Sequence, residues 1–314
     1  MSRRIPIFFA SDDIYLPYLA VTVKSISDHG TEGNIYDIKV LTNGLSRENQ
    51  DKLMNMELQR TSIEVIDINE VFDNHRNHLR ARLRDYYSES IFYRVFIASL
   101  YPELDKAIYI DCDIVLVDDI AKLYDTDIGS CVLGAVADEC IPDTPEFCDY
   151  VDKWVGTPAD KYINSGVLLM NLEQFRSMRI EKKITEYASR YNFDTVAPDQ
   201  DYLNFLCRDR IYYLDYTWNK QPNPERPTPV SELHLIHFNM FKKPWHYSDV
   251  LYFEEFWRVA DTTPFKDYLH FEFDSYTDEQ RHKDINGAKM LLENAARLSK
   301  EKNGFASVLG ALTV

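Results

Sequence analysis

Short apolar runs, most of them rich in β-branched and aromatic residues, alternate along this chain with longer stretches whose apolar positions recur at helical spacing. The runs at 5–10, 37–41, 63–68, 106–110, 132–137, 166–170 and 233–238 read as strands. Several are apolar on both faces, as buried strands of a parallel sheet are. Segments 18–27, 46–60, 90–101, 172–191 and 199–207 read as helices, with Ser46 a weak cap candidate because Asn49 stands where Glu or Gln would complete a capping box. The alternation predicts an α/β fold in which helices cross over a mainly parallel sheet.

The Pro-dense segment 221–229 interrupts the pattern and suits neither a central strand nor a helix. After Trp245 the chain turns to aromatic and charged helical pieces (249–259, 278–302) and an apolar tail (305–314). Residues 1–248 therefore read as one α/β domain and 249–314 as a helical appendage.

With 314 residues, 45% of them hydrophobic, the chain can bury a large core. The formal net charge of −16 works against nucleic acid as a partner, which needs a basic stripe to release counterions. A nucleotide diphosphate remains open to an acidic protein if a divalent cation and a Lys or Arg neutralise it locally. Five cysteines, an odd number without paired spacing, fit a reducing, cytoplasmic setting better than a disulfide scaffold. No apolar stretch approaches the roughly 20 residues of a membrane span. Peripheral attachment at the inner membrane face stays compatible with this reading.

In the segment Ala107-Ile-Tyr-Ile-Asp-Cys-Asp-Ile-Val-Leu-Val117 an apolar strand ends in two carboxylates, where ligands of open α/β sheets bind. Side-chain alternation lets Asp111 and Asp113 project together while Cys112 points away. Such oxygen ligands suit Mg²⁺ or Mn²⁺. Spacing alone is weak, because Asp125-Thr-Asp127 and Asp199-Gln-Asp201 match it too; the apolar strand directly before it singles out the first. His237-Phe-Asn-Met-Phe-Lys-Lys-Pro-Trp245 follows another apolar run, with His237 as a third metal ligand and Lys243 as a point charge for diphosphate. His234 reads as an ordinary satisfied histidine. At Phe8-Phe-Ala-Ser-Asp-Asp-Ile-Tyr15 a strand opens into a helix, so Asp12 can serve a base edge or a helix cap, and Tyr15 offers a stacking face. Arg94 sits in an apolar surround and should be buried and paired. Asn164-Ser-Gly166 and Asp199-Gln-Asp201 supply hydroxyl-orienting side chains.

Taken together and in this order, these segments resemble glycosyltransferase family 8, the retaining UDP-galactose and UDP-glucose transferases that include lipooligosaccharide galactosyltransferases and glycogenin. The resemblance spans about residues 5–245 and rests on Ala-x-Asp-x-x-Tyr, Tyr-x-Asp-x-Asp, Asn-x-Gly-Val-Leu-Leu-x-Asn, Asp-Gln-Asp and His-x-x-x-x-x-Lys-Pro-Trp. It implies a GT-A type, Rossmann-like nucleotide-sugar-binding fold with a mixed, mainly parallel sheet. It also implies a UDP-hexose donor and a glycan, glycolipid or glycoprotein acceptor. Ala10, Asp12 and Tyr15 would bind uridine. Asp111, Asp113 and His237 would ligate Mn²⁺, with Mg²⁺ as the alternative, and Cys112 and Lys243 would join them around UDP. Arg94, Asn164, Gly166, Asp199 and Gln200 would surround the donor hexose, galactose ahead of glucose.

Among these, Gln200, Asp199 and Arg94 are candidates for the catalytic step, with Asp201 a lesser one as nucleophile or electrostatic stabiliser. The chain departs from the family at Ile14, where Asn is frequent, and at Met240, where Gly is common. A non-catalytic UDP-sugar-binding scaffold of the same fold is the competing reading. A glycosidase leaves the Lys243 loop without a role.

Overall fold

The computed structural model describes residues 2–80 and 88–310. Among the described residues nine strands run in chain order: β1 (Arg3–Ala10), β2 (Asn34–Thr42), β3 (Thr61–Asp67), β4 (Lys106–Ile110), β5 (Ile114–Leu116), β6 (Leu133–Ala137), β7 (Ile163–Asn171), β8 (Ile211–Tyr213) and β9 (Leu235–His237). Seven form one sheet, ordered β3-β2-β1-β4-β7-β6-β8, and β5 pairs with β9 in a separate ribbon. Strands β3, β2, β1 and β4 are mutually parallel, whereas β7 runs antiparallel to both β4 and β6. This is the expected mixed, mainly parallel sheet.

The helices named below are α1 (Leu16–His29), α2 (Arg47–Met54), α3 (Asn69–Arg80), α4 (Ile97–Leu100), α5 (Ala121–Asp125), α6 (Pro145–Tyr150), α7 (Leu172–Ser177), α8 (Ile180–Tyr191), α9 (Pro198–Cys207), α10 (Phe253–Ala260), α11 (Lys266–Ser275), α12 (Asp278–Leu298) and α13 (Phe305–Val308). Ser46 does cap α2, its side chain accepting from Asn49 N. The single helix expected over 172–191 is two, because Arg179 adopts φ +54° between α7 and α8. The stretch expected as a helix from residue 90 is mostly a 3₁₀ turn, Glu89–Phe96, followed by the short α4.

Two apolar clusters cover the two faces of the sheet. Helix α1 packs on one, with Leu19, Val23 and Ile26 buried there. The segment after residue 248 joins both: Phe256, Trp257 and Leu269 enter the α1 side, and Leu291, Ala295 and Leu298 of α12 enter the other. Residues 221–229 lack regular structure and are mostly exposed in their middle, as their prolines dictate. Of the apolar tail, 311–314 lie outside the described residues, and Phe305 begins α13. Among the described residues, no helix is long and apolar enough to cross a membrane.

Candidate active site

Strand β4 ends one residue before Asp111, whose amide donates to Gly166 O of β7 at 2.8 Å. From Ile114 the chain, having left the main sheet, enters β5, a short strand that the reading of a strand over 106–110 did not include. Ile114 pairs with His237 across the β5–β9 ribbon, and Phe238 N donates to Asp113 O at 2.9 Å, so the imidazole arrives beside Asp113. Thr22 of α1 braces the turn, its Oγ1 lying 2.8 Å from Cys112 O and 2.7 Å from Ile114 O. Cys112 faces back into the fold and donates its Sγ proton to Ala10 O at 3.2 Å. The expected projection of both carboxylates thus arises from a turn between two sheets, not from the pleat of one strand.

The carboxylates and imidazole border a cavity of about 520 Å³. One ligand atom each from Asp111, Asp113 and His237 lies within 4.8 Å of the others. His237 Nε2 is 3.2 Å from Asp113 Oδ1 and 3.9 Å from Asp111 Oδ2. Despite that proximity, Asp113 Oδ1 is buried without a hydrogen-bond partner among the described residues. An unsatisfied buried carboxylate oxygen is costly, and two carboxylates with one imidazole are a donor set that suits a divalent cation. These residues therefore fit a metal ion. Burial alone would raise the Asp113 pKa, but the Lys243 ammonium holds it below the ordinary carboxylate range. Lys243 Nζ lies 2.6 Å from Asp113 Oδ2 and 2.6 Å from Phe238 O.

Arg94 is buried as expected, and it is paired with two carboxylates and two backbone carbonyls. Its Nη2 is 2.9 Å from Asp111 Oδ1 and its Nε is 3.1 Å from Asp199 Oδ2, while Nη1 donates to Ser165 O. The tight 3₁₀ winding sets its side chain over its own turn, where Nε also meets Ile91 O at 3.0 Å. The guanidinium stacks over Tyr109, 4.1 Å from the ring centre, and the Tyr109 hydroxyl donates to Asp111 Oδ1 at 2.9 Å. Burial raises the Asp199 pKa, with Arg94 opposing. Ser165 Oγ donates to Asp199 at 3.0 Å, and Gln200 Oε1 accepts from Ser165 N at 2.9 Å.

Ala10, Tyr15 and Ile14 also line the cavity, the last 69% exposed. Tyr15 meets Tyr18 edge-on, and Tyr18 stacks on Trp245 at 3.8 Å. Asp12 does not line the cavity; its Oδ1 accepts from Ile14 N and Tyr15 N at 3.1 and 3.0 Å, the local cap that its position also suggested. Met240 lines the mouth with φ +62°, the left-handed backbone that glycine adopts without strain. His234 is satisfied as expected, bonded to Asp118 at 2.6 Å and stacked on Trp218.

The expectation for Asp201 is corrected. It is fully buried, and its carboxylate accepts from Tyr150 and Tyr162 hydroxyls at 2.6 Å each, turned away from the cavity that Gln200 reaches. Helical geometry explains this, since successive residues of α9 point about 100° apart and Gln200 occupies the cavity face. Sequence reading also missed Asp138, Asn219, Ser165 and Tyr109, which hold the predicted site residues by hydrogen bonds. Ser165 and Tyr109 lie inside motifs singled out above without being given a role, and Asp138 abuts a predicted strand. Asn219, before the Pro-dense segment, carried no signal.

The model of the family described as glycosyl transferase family 8 matches residues 6–249. A putative glycosyltransferase of Haemophilus influenzae is 28% identical over 222 residues, which are 70% of this chain and 64% of that protein. The chain thus spans less than two thirds of that relative. General stress protein A of Bacillus subtilis is 26% identical over 261 residues, 75% of this chain and 85% of the relative. In three dimensions the chain is similar to the galactosyltransferase LgtC in complex with donor and acceptor sugar analogs, with a TM-score of 0.68 at 24% identity, covering 89% of this chain and all of that one. That likeness concerns the fold, which is of the GT-A type.

Proposed function

We propose that this chain, which belongs to glycosyltransferase family 8, is a metal-dependent retaining hexosyltransferase that moves galactose, or in second place glucose, from UDP to a glycan acceptor. The observation that carries the reading is the Asp111, Asp113 and His237 cluster at the cavity edge, in which the buried Asp113 Oδ1 has no hydrogen-bond partner among the described residues.

A divalent cation held there, Mn²⁺ with Mg²⁺ as the alternative, would supply Lewis-acid stabilisation of the departing diphosphate. Lys243 adds a positive charge at the same edge, where negative charge grows on the leaving group. Ala10 and Tyr15 take the uridine, with Asp12 holding the turn that presents Tyr15 through Oδ1 and reaching the base by its other carboxylate oxygen, and with Cys112 beside the diphosphate. Arg94, Asn164, Gly166, Asp199 and Gln200 enclose the hexose. Arg94 holds Asp111 and Asp199 in fixed positions through its two ion pairs.

For retention we favour same-face attack, with a departing phosphate oxygen accepting the acceptor's proton. Gln200 is a weak nucleophile, and Asp201 faces inward. Asp138, the carboxylate next to Gln200, has its oxygens engaged by four donors. Glu272 of α11 and Asp284 and Leu291 of α12 line the cavity, so the segment 249–314 is suited to select the acceptor, a glycan free or carried on lipid or protein. We place the reaction in the cytoplasm or at the inner membrane face.

The test is a panel of UDP-sugars incubated with Mn²⁺, Mg²⁺ or chelator, with UDP release as the readout. UDP-galactose should be cleaved fastest, and only with metal. Binding of UDP-sugar without UDP release, alone or with any glycan acceptor, would leave the scaffold reading standing instead.

A further inference from the structure

We infer that Asp138, which is not a ligand of the cluster, decides which nitrogen of His237 faces it, through a relay of two side-chain amides. The inference rests on the metal reading above. It makes Asp138 a positioning residue.

Asp138 follows β6 and is only 6% exposed. Its Oδ1 accepts from Cys140 N at 3.0 Å and Gln221 Nε2 at 3.1 Å; its Oδ2 accepts from Asn164 Nδ2 at 3.0 Å and Gln200 Nε2 at 3.3 Å. A carboxylate only accepts, so Asn164 must turn its NH₂ to Asp138 and its oxygen the other way. Asn164 Oδ1 then accepts from Gly166 N and from Asn219 Nδ2, both at 3.0 Å. Having spent its NH₂ on Asn164, Asn219 presents its oxygen to His237 Nδ1, 2.8 Å away. Only an Nδ1–H makes that bond.

The Nε2 lone pair is therefore left facing Asp113 Oδ1 at 3.2 Å and Asp111 Oδ2 at 3.9 Å. Three lone-pair donors converge where a cation belongs. A ligating histidine is commonly oriented by an acceptor on its second nitrogen. Here the acceptor is a neutral amide whose direction is set through Asn164, which the buried Asp138 charge holds at one end and the Gly166 amide at the other.

Asp138→Asn puts this to the test. Cys140 N is a fixed donor and pins the new amide oxygen, so the NH₂ that the substitution introduces would confront the NH₂ of Asn164 and break the relay. In the double variant Asp138→Asn with Asn219→Asp, the carboxylate sits next to His237 and accepts from Nδ1–H whichever way Asn164 turns. Two readouts are needed. One is the His237 tautomer in metal-free protein near pH 8, from long-range ¹H–¹⁵N correlations assigned against His237→Asn. The other is affinity for Mn²⁺ alone, followed by electron paramagnetic resonance.

We expect Nδ1–H in the wild type, a shift to Nε2–H with at least about tenfold weaker Mn²⁺ binding in Asp138→Asn, and recovery of both in the double variant. Nε2–H in the wild type overturns the inference without any variant. An unchanged tautomer in a folded Asp138→Asn overturns it as well. If the tautomers behave as expected but no variant binds Mn²⁺, the relay stands and the metal reading falls.

Discussion

A β-carbon on Gly166 would lie 2.3 Å from His237 Cε1 and 2.7 Å from Asp111 Oδ2, so two of the three clustered groups occupy the space that any other residue would fill. Gly166 sits within β7 and not in a turn, and its use here is absence of bulk. Gly166→Ala should keep the fold, at a cost of about 1–3 kcal/mol for the overpacking, and weaken Mn²⁺ binding at least about tenfold by displacing His237. Calorimetric titration with MnCl₂ checks it. Undiminished affinity would show that the cluster adjusts without loss.

Lys243 lends its charge to Asp113 in a buried pair. Lys243→Ala removes that partner and should lower stability by about 3 kcal/mol in chelator. Because a bound divalent cation would replace the lost charge, MnCl₂ should raise the melting temperature of this variant more than that of the wild type. Equal shifts in the two proteins would argue against a cation beside Asp113.

Met240 holds a left-handed backbone at the cavity mouth. Met240→Gly should be neutral or stabilising by up to about 1 kcal/mol, relief of strain being partly offset by the freedom glycine adds to the unfolded chain. Met240→Val should destabilise by about 1–2 kcal/mol, since a β-branched residue resists that region. Urea titrations of the three proteins measure the order.

Burial pushes the Asp201 pKa up to about 7, against the opposing hydrogen bonds of Tyr150 and Tyr162. Between the unfolded value of about 3.9 and 7, the unfolded chain holds fewer protons at this site than the folded one, so its contribution to stability falls as pH rises. Relative to Asp201→Asn, the wild type should lose stability from pH 5 to pH 7 and level off above. The same variant should retain transfer within about tenfold, because Asp201 does not face the cavity. Loss of all activity in a folded Asp201→Asn, together with a sugar adduct on the wild-type residue, would restore it as the nucleophile.

How much of this was legible beforehand follows from which contacts are local. Burial on both faces favours a nearly continuous apolar run, so the runs within β1, β4 and β7 stood out, and the order of short motifs identified the family. Strands β5 and β8, three residues each, are too short to show a period and exist because partners distant in sequence bind them. Their pairing decides the site: the β5–β9 ribbon delivers His237 to Asp113 across more than a hundred residues. The order of residues along the chain was enough to set the chemistry available, two carboxylates, an imidazole and a lysine at strand ends. It took the folded arrangement to settle that Asp201 faces inward while Gln200 reaches the cavity, and that Asp138 orients the relay leading to His237. The reason is physical: an amide or imidazole has two different ends, and which end faces a ligand depends on donors and acceptors that the chain brings together only on folding.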